Sequence, residues 1–338
     1  MHFLYASDEG FSDVLKASLH SLLECHAQSD IIVHIVGQDL SAETVSDIEA
    51  LVDEAAQRVE FIEMPDFGSL FGKELDTRRF TLSAFSRLFV DSLLSEDVDR
   101  VVYLDCDTVV TANLTSLWAT DLDGAVVGAV NDCRNWRYLA NLGLPRDAIY
   151  VNSGVLLIDV ARFRSGGWQR RFCEAMVTFD GLLEFPDNDL ICMLMQDCLK
   201  VLPPEYNMIS AVRAGGYEEV LKLRRPTNYY GRAEFERAKT RPAILHYTTF
   251  FGVRGRPWNE GYDDEDGRPF RRHLEATRGI VRRPAQLSRV KSLAVTSLHG
   301  PLRPLALAVF GIAHSTIKPS LDWRTRRRIV ELASGAEA

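Results

Sequence analysis

Residues 101–110, VVYLDCDTVV, constrain this chain more than any other stretch. Four apolar or aromatic residues in a row predict a buried strand. Asp105 and Asp107 follow at its C-terminal end, where an extended backbone turns both carboxylates to one side. Two carboxylates so placed make a hard-cation site. In an open α/β sheet ligands collect beyond the carboxyl ends of the strands, so a metal and a phosphate ligand are expected here. The alternative is a strand end with two solvated aspartates.

The chain before this stretch alternates strand and helix. Residues 1–10 begin as a short buried strand and run into a polar turn that carries Ala6 and Asp8. Residues 11–25 have a helical stripe of Val14, Leu15, Leu19, Leu22 and Leu23. A β-rich run at 31–36, a helix over 41–56 with Ser41 as N-cap, and a strand at 59–64 follow. Three such alternations predict a parallel, doubly wound sheet whose first half binds a nucleotide. A helix over 81–94 places Arg87 among Leu82, Phe85, Leu88 and Phe89. Arginines on such faces are often surface residues with buried stems, but this one leads into the Asp105 strand and could aim at a phosphate or carboxylate.

Downstream, a strand over 125–130 ends at Asn131 and Asp132. Residues 149–159 form two apolar runs interrupted by Asn152, Ser153 and Gly154, the pattern of a strand approached closely by a ligand or of a simple bulge. A basic amphipathic helix is predicted over 162–179. Another begins near 185, with Asp187 suited to cap it and with Asn188 and Asp189 clustered beside it, at a helix end that also holds polar ligands. Residues 206–208 read as a turn and 243–247 as a last strand closed by His246, a position where core histidines are commoner than ligands. Residues 252–258 make a glycine-hinged basic loop that carries Arg256, the composition of a lid over phosphates.

Charge divides the chain. From Arg268 to Val330 there are 14 Lys/Arg against two acids, Glu275 and Asp322; this segment is net +12 and leaves −20 for the rest of a chain of formal charge −8. An acidic body with a basic tail predicts a tail that meets an anionic surface. Residues 292–317 are rich in Leu, Ala and Val but are broken by Gly300, Pro301 and Pro304, which excludes a spanning helix and suits an interfacial anchor flanked by arginines. A packed helical subdomain is the alternative. Nucleic acid is not expected, since from residue 292 onward the tail has one Phe, one Trp and no recognised motif. Six scattered cysteines without ligand or Cys-x-x-Cys spacing read as free thiols in a reducing cytosol.

Four separated stretches carry one resemblance. Residues 3–8, 103–107, 152–158, and His246-Tyr247 through Arg256-Pro257-Trp258 together resemble glycosyltransferase family 8, the retaining nucleotide-sugar enzymes, over about residues 1–260. The resemblance implies a GT-A fold in a catalytic domain over 1–262, with residues 263–338 as the basic helical tail. It implies a UDP-sugar donor and a saccharide or glycolipid acceptor. It further implies Mn²⁺, with Mg²⁺ as the alternative ion, held by Asp105, Asp107 and His246. Ala6 and Asp8 fall in its uridine-binding start. Arg87, Asp132, Asn152 and Asp187 are implied to hold sugar hydroxyls, and Asn188 to lie beside the anomeric carbon. Two departures stand out: Asp187-Asn188-Asp189 replaces Asp-Gln-Asp, and Arg256, after a longer loop, replaces a lysine.

The residue types suit that chemistry. Two carboxylates and an imidazole leave octahedral positions for phosphate oxygens, and the Arg256 fork can grip a departing diphosphate at two oxygens. A neutral amide at 188 is a poor nucleophile, so front-face substitution through an oxocarbenium-like transition state is expected over a covalent glycosyl-enzyme, for which Asp189 is the remaining candidate. Two rival readings use the same residues. A haloacid-dehalogenase-type phosphatase would use Asp105 as nucleophile and Asp107 as acid, but needs a downstream lysine and an acidic pair after a strand, for which Lys200 and the Asp187/Asp189 pair are poor candidates in position and context. An inactive nucleotide-binding relative would have no use for a complete ligand set. The expected place of work is the cytoplasm, peripheral on the inner face of a membrane.

Overall fold

The computed structural model describes residues 1–65, 82–249, 255–262, 264–282, 293, 296–298, 301 and 303–333. Seven strands form the main sheet: β1 (His2–Asp8), β2 (Ile32–Gln38), β3 (Arg58–Glu63), β4 (Arg100–Leu104), β6 (Val127–Asn131), β7 (Val151–Asp159) and β8 (Leu199–Leu202). Their order is β3-β2-β1-β4-β7-β6-β8. The first four are parallel, β7 runs antiparallel to both its neighbours, and β6 pairs β8 in parallel. The expected doubly wound half is present, and β7 makes the sheet mixed.

Residues of β1 alternate between two cores. Phe3 and Tyr5 pack on one face with helix α1 (Ser12–Cys25), and Leu4 and Ala6 pack on the other. Burial on both faces is why this strand reads as a continuous apolar run. Chain order reverses between β1 and β4, so both strands deliver their C-terminal ends to one crevice.

A smaller sheet closes that crevice, with order β5 (Thr108–Val110), β10 (Ile244–His246), β9 (Met208–Ile209). Here the sequence reading needs correction. The main-sheet strand stops at Leu104, and residues 105–107 form a turn into β5. Asp105 N–H donates to the Gly154 carbonyl (2.8 Å), and the Thr108 hydroxyl donates to the Asp105 carbonyl (2.8 Å). The two carboxylates converge because of this turn and not through strand alternation.

Three helix readings also change. Thr81 lies outside the described residues, and the segment after it is a 3₁₀ stretch, Leu82–Leu88, followed by a short α-turn, Val90–Leu93. The Arg87 Nε–H donates back to the Ala84 carbonyl at 2.9 Å, within this tighter winding. The helix expected over 162–179 is two, Val160–Ser165 and Trp168–Thr178, separated where Gly167 takes φ +60°, a left-handed turn that glycine accepts without strain. Helix α2 (Pro186–Leu194) is not capped by Asp187. Phe185 is its N-cap residue, Pro186 takes the first position, and the Asp189 carboxylate accepts the Phe185 N–H (2.9 Å).

The tail packs on the body. Helix α3 (Arg268–Ala276) lies beyond the expected boundary at 262, yet its Phe270 and Leu274 share the core cluster of Phe3. Helix α4 (Tyr217–Arg224) supports α5 (Arg303–Ile312): Ala306 and Leu307 are buried, and Gly311 lies so close to the Lys222 carbonyl that a Cβ would meet it at 2.2 Å. Arg303 pairs with Glu219 at 2.7 Å. A π-helical turn, Ala313–Ile317, then leads into α6 (Lys318–Leu321) and α7 (Trp323–Ala333). Arg283, Arg289 and Lys291 of the expected basic flank lie outside the described residues, as do Gly252, Val253 and Arg254 of the expected lid. All six cysteines are unpaired.

Candidate active site

Three ligand-bearing groups meet at the end of β4. Asp105, Asp107 and His246 each offer an atom within 4.8 Å of the others. His246 Nε2 is 3.0 Å from an Asp107 oxygen and 3.6 Å from an Asp105 oxygen. β10 pairs with β5 in a register that sets His246 opposite Thr108, next to Asp107, which is how a residue so distant in sequence arrives here.

The surrounding groups orient this cluster. His246 Nδ1 lies 2.8 Å from Asn207 Oδ1, which accepts from it and turns Nε2 toward the carboxylates. Asn207 in turn donates to Asn152 Oδ1 (2.8 Å), which also accepts the Gly154 N–H (3.1 Å). Gly154 itself is a cradle: a Cβ there would lie 2.2 Å from His246 Cε1 and 2.6 Å from Asp105 Oδ2. Two hard oxygen donors, one imidazole whose Nε2 faces them, and a backbone cleared of side chain beneath them fit a divalent cation.

The expected arginine helix face resolves into a buried clamp. Arg87 has 4% of its side chain exposed and donates to Asp105 Oδ1 (2.6 Å) and to the Ser153 carbonyl and hydroxyl (2.8 and 2.9 Å), while Asp187 lies 3.2 Å away. It stacks over Tyr103, whose hydroxyl also donates to Asp105 (3.0 Å). Burial pushes the Asp105 carboxyl up, against the pull of Arg87 and His246. Burial would push Asp107 up as well, but His246 and Arg256 outweigh it and bring its pKa down to about 2. Arg256 donates to Asp107 Oδ2 (2.8 Å) and to Thr249 (2.7 Å), and lies over Trp258.

The 187–189 triplet divides its work. Asp187 accepts from the Ser153 hydroxyl at 2.5 Å. Asn188 Oδ1 accepts the Ser153 backbone N–H at 2.7 Å, which fixes the orientation of this amide beside the strand. Asp189 is fully buried and accepts from Tyr150 (2.7 Å), Tyr138 (3.0 Å) and the Phe185 N–H (2.9 Å). Its oxygens are committed inside the protein. Burial, opposed by those donors, raises its pKa to about 6.

That last shift carries a test. An acid whose folded-state pKa lies above its ordinary 3.8 contributes stability that is complete below about 3.8 and lost as pH rises through about 6. The loss is on the order of 3 kcal/mol. Urea denaturation of Asp189→Asn should therefore gain on the parent by on the order of 3 kcal/mol between pH 4 and 7. A stability difference constant with pH would show Asp189 ionised throughout.

Of the other expected site residues, Ala6 accepts from the Cys106 thiol (3.2 Å), which sets the Ala6–Asp8 end of β1 beside the cluster. Asp132 is buried, held by Arg134 (2.9 Å) and faced by Arg224 at 3.6 Å. Asn207 and Tyr103 were missed from sequence. A turn asparagine has no local signature of the histidine it will orient, and Tyr103 read simply as strand core. The phosphatase rival loses its lysine: Lys200 sits on β8, three strands from β4, paired with Asp123.

A mixed sheet with two carboxylates and an imidazole gathered at its switch point fits the GT-A class of glycosyltransferases. The model of glycosyl transferase family 8 matches residues 2–261, and the chain belongs to that family. General stress protein A of Bacillus subtilis is 24% identical over 78% of this chain and 91% of its own length. A lipopolysaccharide 1,2-glucosyltransferase of Escherichia coli K12 is 28% identical, over 41% of this chain and 42% of that protein. The solved structure of the galactosyltransferase LgtC in complex with donor and acceptor sugar analogues shares the fold, with a TM-score of 0.65 at 21% identity over 86% of this chain and 98% of LgtC.

Proposed function

We propose that this chain is a retaining hexosyltransferase that moves glucose or galactose from a UDP-sugar to a saccharide or lipid-linked saccharide, giving an α-linked product. The observation that carries this reading is the convergence of Asp105, Asp107 and His246 beside Arg256 and Asn188. Mn²⁺, or Mg²⁺ in its place, held by those three side chains would supply positive charge that stabilises the departing diphosphate.

The chain's own residues do the rest. Ala6 and Asp8 bind the uridine end. Arg256 exchanges its partner Asp107 for the diphosphate, where its fork grips two oxygens. Arg87 and Asp187 lock Ser153 and Asp105, so the sugar-facing surface is preorganised. Asn152 and Asp132 line the sugar side. Asn188, a neutral amide anchored through its oxygen by the Ser153 N–H, is a poor nucleophile toward the reacting sugar; Asp189 is enclosed by Tyr138 and Tyr150. The acceptor hydroxyl therefore forms its bond to the anomeric carbon on the face that UDP leaves, and its proton departs with the diphosphate. Incubating the protein with Mn²⁺ and a panel of UDP-sugars should release UDP, and NMR of the product should show an α anomeric proton. No release with any donor, or a β product, overturns the reading.

The tail supports a lipid-linked acceptor on the cytoplasmic side of a membrane. Among the described residues no helix is long and apolar enough to cross a bilayer. Leu305, Val309, Ile312, Ile317 and Leu321 are exposed along α5 to α6, and the exposed Arg326, Arg327 and Arg328 follow them in sequence on α7. An apolar row beside arginines suits an anionic interface, with about 1 kcal/mol per basic residue. Removing the whole tail would strip Leu307 from the core, so Leu305→Asp with Val309→Asp is the cleaner test. The double variant should keep UDP binding and lose sedimentation with anionic liposomes. A parent protein that does not sediment even at low salt excludes the membrane role.

A further inference from the structure

A brace stands behind the metal-ligand cluster, and its outer end lies past residue 261, where the family match stops. β9 runs into a helical turn, Ser210–Arg213, and the side chain of Arg213 returns to the two strands of the small sheet. Only 7% of that side chain is exposed. One terminal nitrogen donates to the His246 carbonyl (3.0 Å) and also to the Met208 carbonyl. The guanidinium thus staples β10 to β9 at the residue whose imidazole faces Asp107. Its Nε and its other terminal nitrogen both donate to the Asp266 carboxylate, at 2.7 Å each. A fork that meets a carboxylate at two oxygens is fixed in direction as well as in place.

Asp266 belongs to a short 3₁₀ turn, Glu265–Gly267, that leads straight into α3. The turn is held firmly: Asp264 accepts the Asp266 N–H at 3.3 Å, and a Cβ on Gly267 would lie 2.3 Å from Tyr262. Tyr247 ties the same turn to a second ligand. Its backbone N–H donates to the Asp107 carbonyl and its hydroxyl to the Asp266 carbonyl, both at 2.8 Å, while its ring lies 4.6 Å under the Arg213 guanidinium. A third group joins through α3. Phe270 packs on Tyr247 (5.4 Å) and on Trp258 (5.1 Å), over which Arg256 lies. His246 through Arg213, Asp107 through Tyr247 and Arg256 through Trp258 are all referred to one segment, residues 264–276.

We infer that Arg213 and Asp266 are positioning residues of the cation site. Asp266 aims the Arg213 fork, Arg213 holds the His246 carbonyl, and the imidazole is thereby kept in register with Asp107. Stability alone gives little reason for such a pair, since apolar side chains of similar volume often replace a buried ion pair without loss. What the pair adds is direction. Ligands must be held to within about 0.5 Å by groups that are themselves locked, and a ligand strand as short as β10, three residues long, has few bonds of its own to do so. The working unit therefore extends through α3, past the boundary at 262 expected from sequence.

The inference rests on the glycosyltransferase reading for the identity of the ion, so two readouts are taken on the full-length protein, neither with a sugar donor. The first is Mn²⁺ affinity by electron paramagnetic resonance, well below the melting midpoint, with the nitrogen coupling of the bound ion. The second is the ring signals of His246 in ion-free, ¹⁵N-histidine-labelled protein, identified by their loss in His246→Gln. Asp266→Asn keeps the shape of the carboxylate and removes its charge. We expect its Mn²⁺ affinity to fall roughly 10-fold or more, its nitrogen coupling to change and the His246 signals to move. Those of His26, buried elsewhere in the core, should stay in place. Arg213→Lys, a point charge without a fork, is read in the same way if Asp266→Asn does not fold. A variant that melts lower yet keeps the parent's Mn²⁺ affinity, nitrogen coupling and His246 signals makes the pair a plain structural brace and overturns the inference. If the parent takes up no Mn²⁺, the glycosyltransferase reading loses its ion and the His246 signals alone decide: moved in the variant they sustain the positioning role, and unmoved they overturn it.

Discussion

Asp107→Asn should abolish ion-dependent UDP binding while leaving the fold intact. Asp107 is the carboxylate that His246 and Arg256 hold ionised, with a pKa of about 2. The amide removes a full negative charge from the cluster and one of the two partners of Arg256. Charge stabilisation of a leaving diphosphate by a cation is worth several kcal/mol, so turnover should fall on the order of 1,000-fold. Calorimetry of UDP with Mn²⁺ and with EDTA checks this: the difference seen in the parent should vanish in the variant, with the melting midpoint little changed. Undiminished Mn²⁺-dependent affinity would remove Asp107 from the site.

Gly154→Ala should be nearly as damaging, although it deletes no functional group. The added methyl would lie 2.2 Å from His246 and 2.6 Å from Asp105, and neither can give way easily. His246 is tied to Asn207, and Asp105 is gripped by Arg87 and Tyr103. The strand must shift instead, carrying the carbonyl that accepts the Asp105 N–H and the Ser153 N–H that holds Asn188. Overpacking of this kind costs about 1–3 kcal/mol of stability, and ligands displaced by about 1 Å lose on the order of 100-fold in rate. Mn²⁺ affinity and UDP release measured on the purified variant decide it. Parent-like values for both would mean that β7 does not approach the ligands this closely when the site is working.

Both results depend on contacts that no local pattern contains. Asp105 and Asp107 were legible because a buried strand ending in two acids is a local signal, and burial on both sheet faces wrote β1, β2 and β4 as apolar runs. Family membership was legible because four stretches occur in the right order. The helix over 162–179 failed at Gly167, where amphipathic spacing continues across a backbone that does not. The cap at Asp187 failed because Ser153 and Arg87 compete for that carboxylate more strongly than the helix end does.

What the sequence by itself determined is therefore the sheet, the acid pair and the class of chemistry, all of which follow from side-chain periodicity and short-range spacing. Only the tertiary structure decided what each polar group spends its hydrogen bonds on. It turned Arg87 inward to clamp Asp105, used the Asn188 oxygen on a backbone N–H, sealed Asp189 behind two tyrosines, and left Arg224 with a donor unspent. The pairings among these outcomes join partners 18 to 51 positions apart, brought together by sheet register and helix packing. Removal from water makes every such pairing count, because a buried donor or acceptor must find a partner inside the fold.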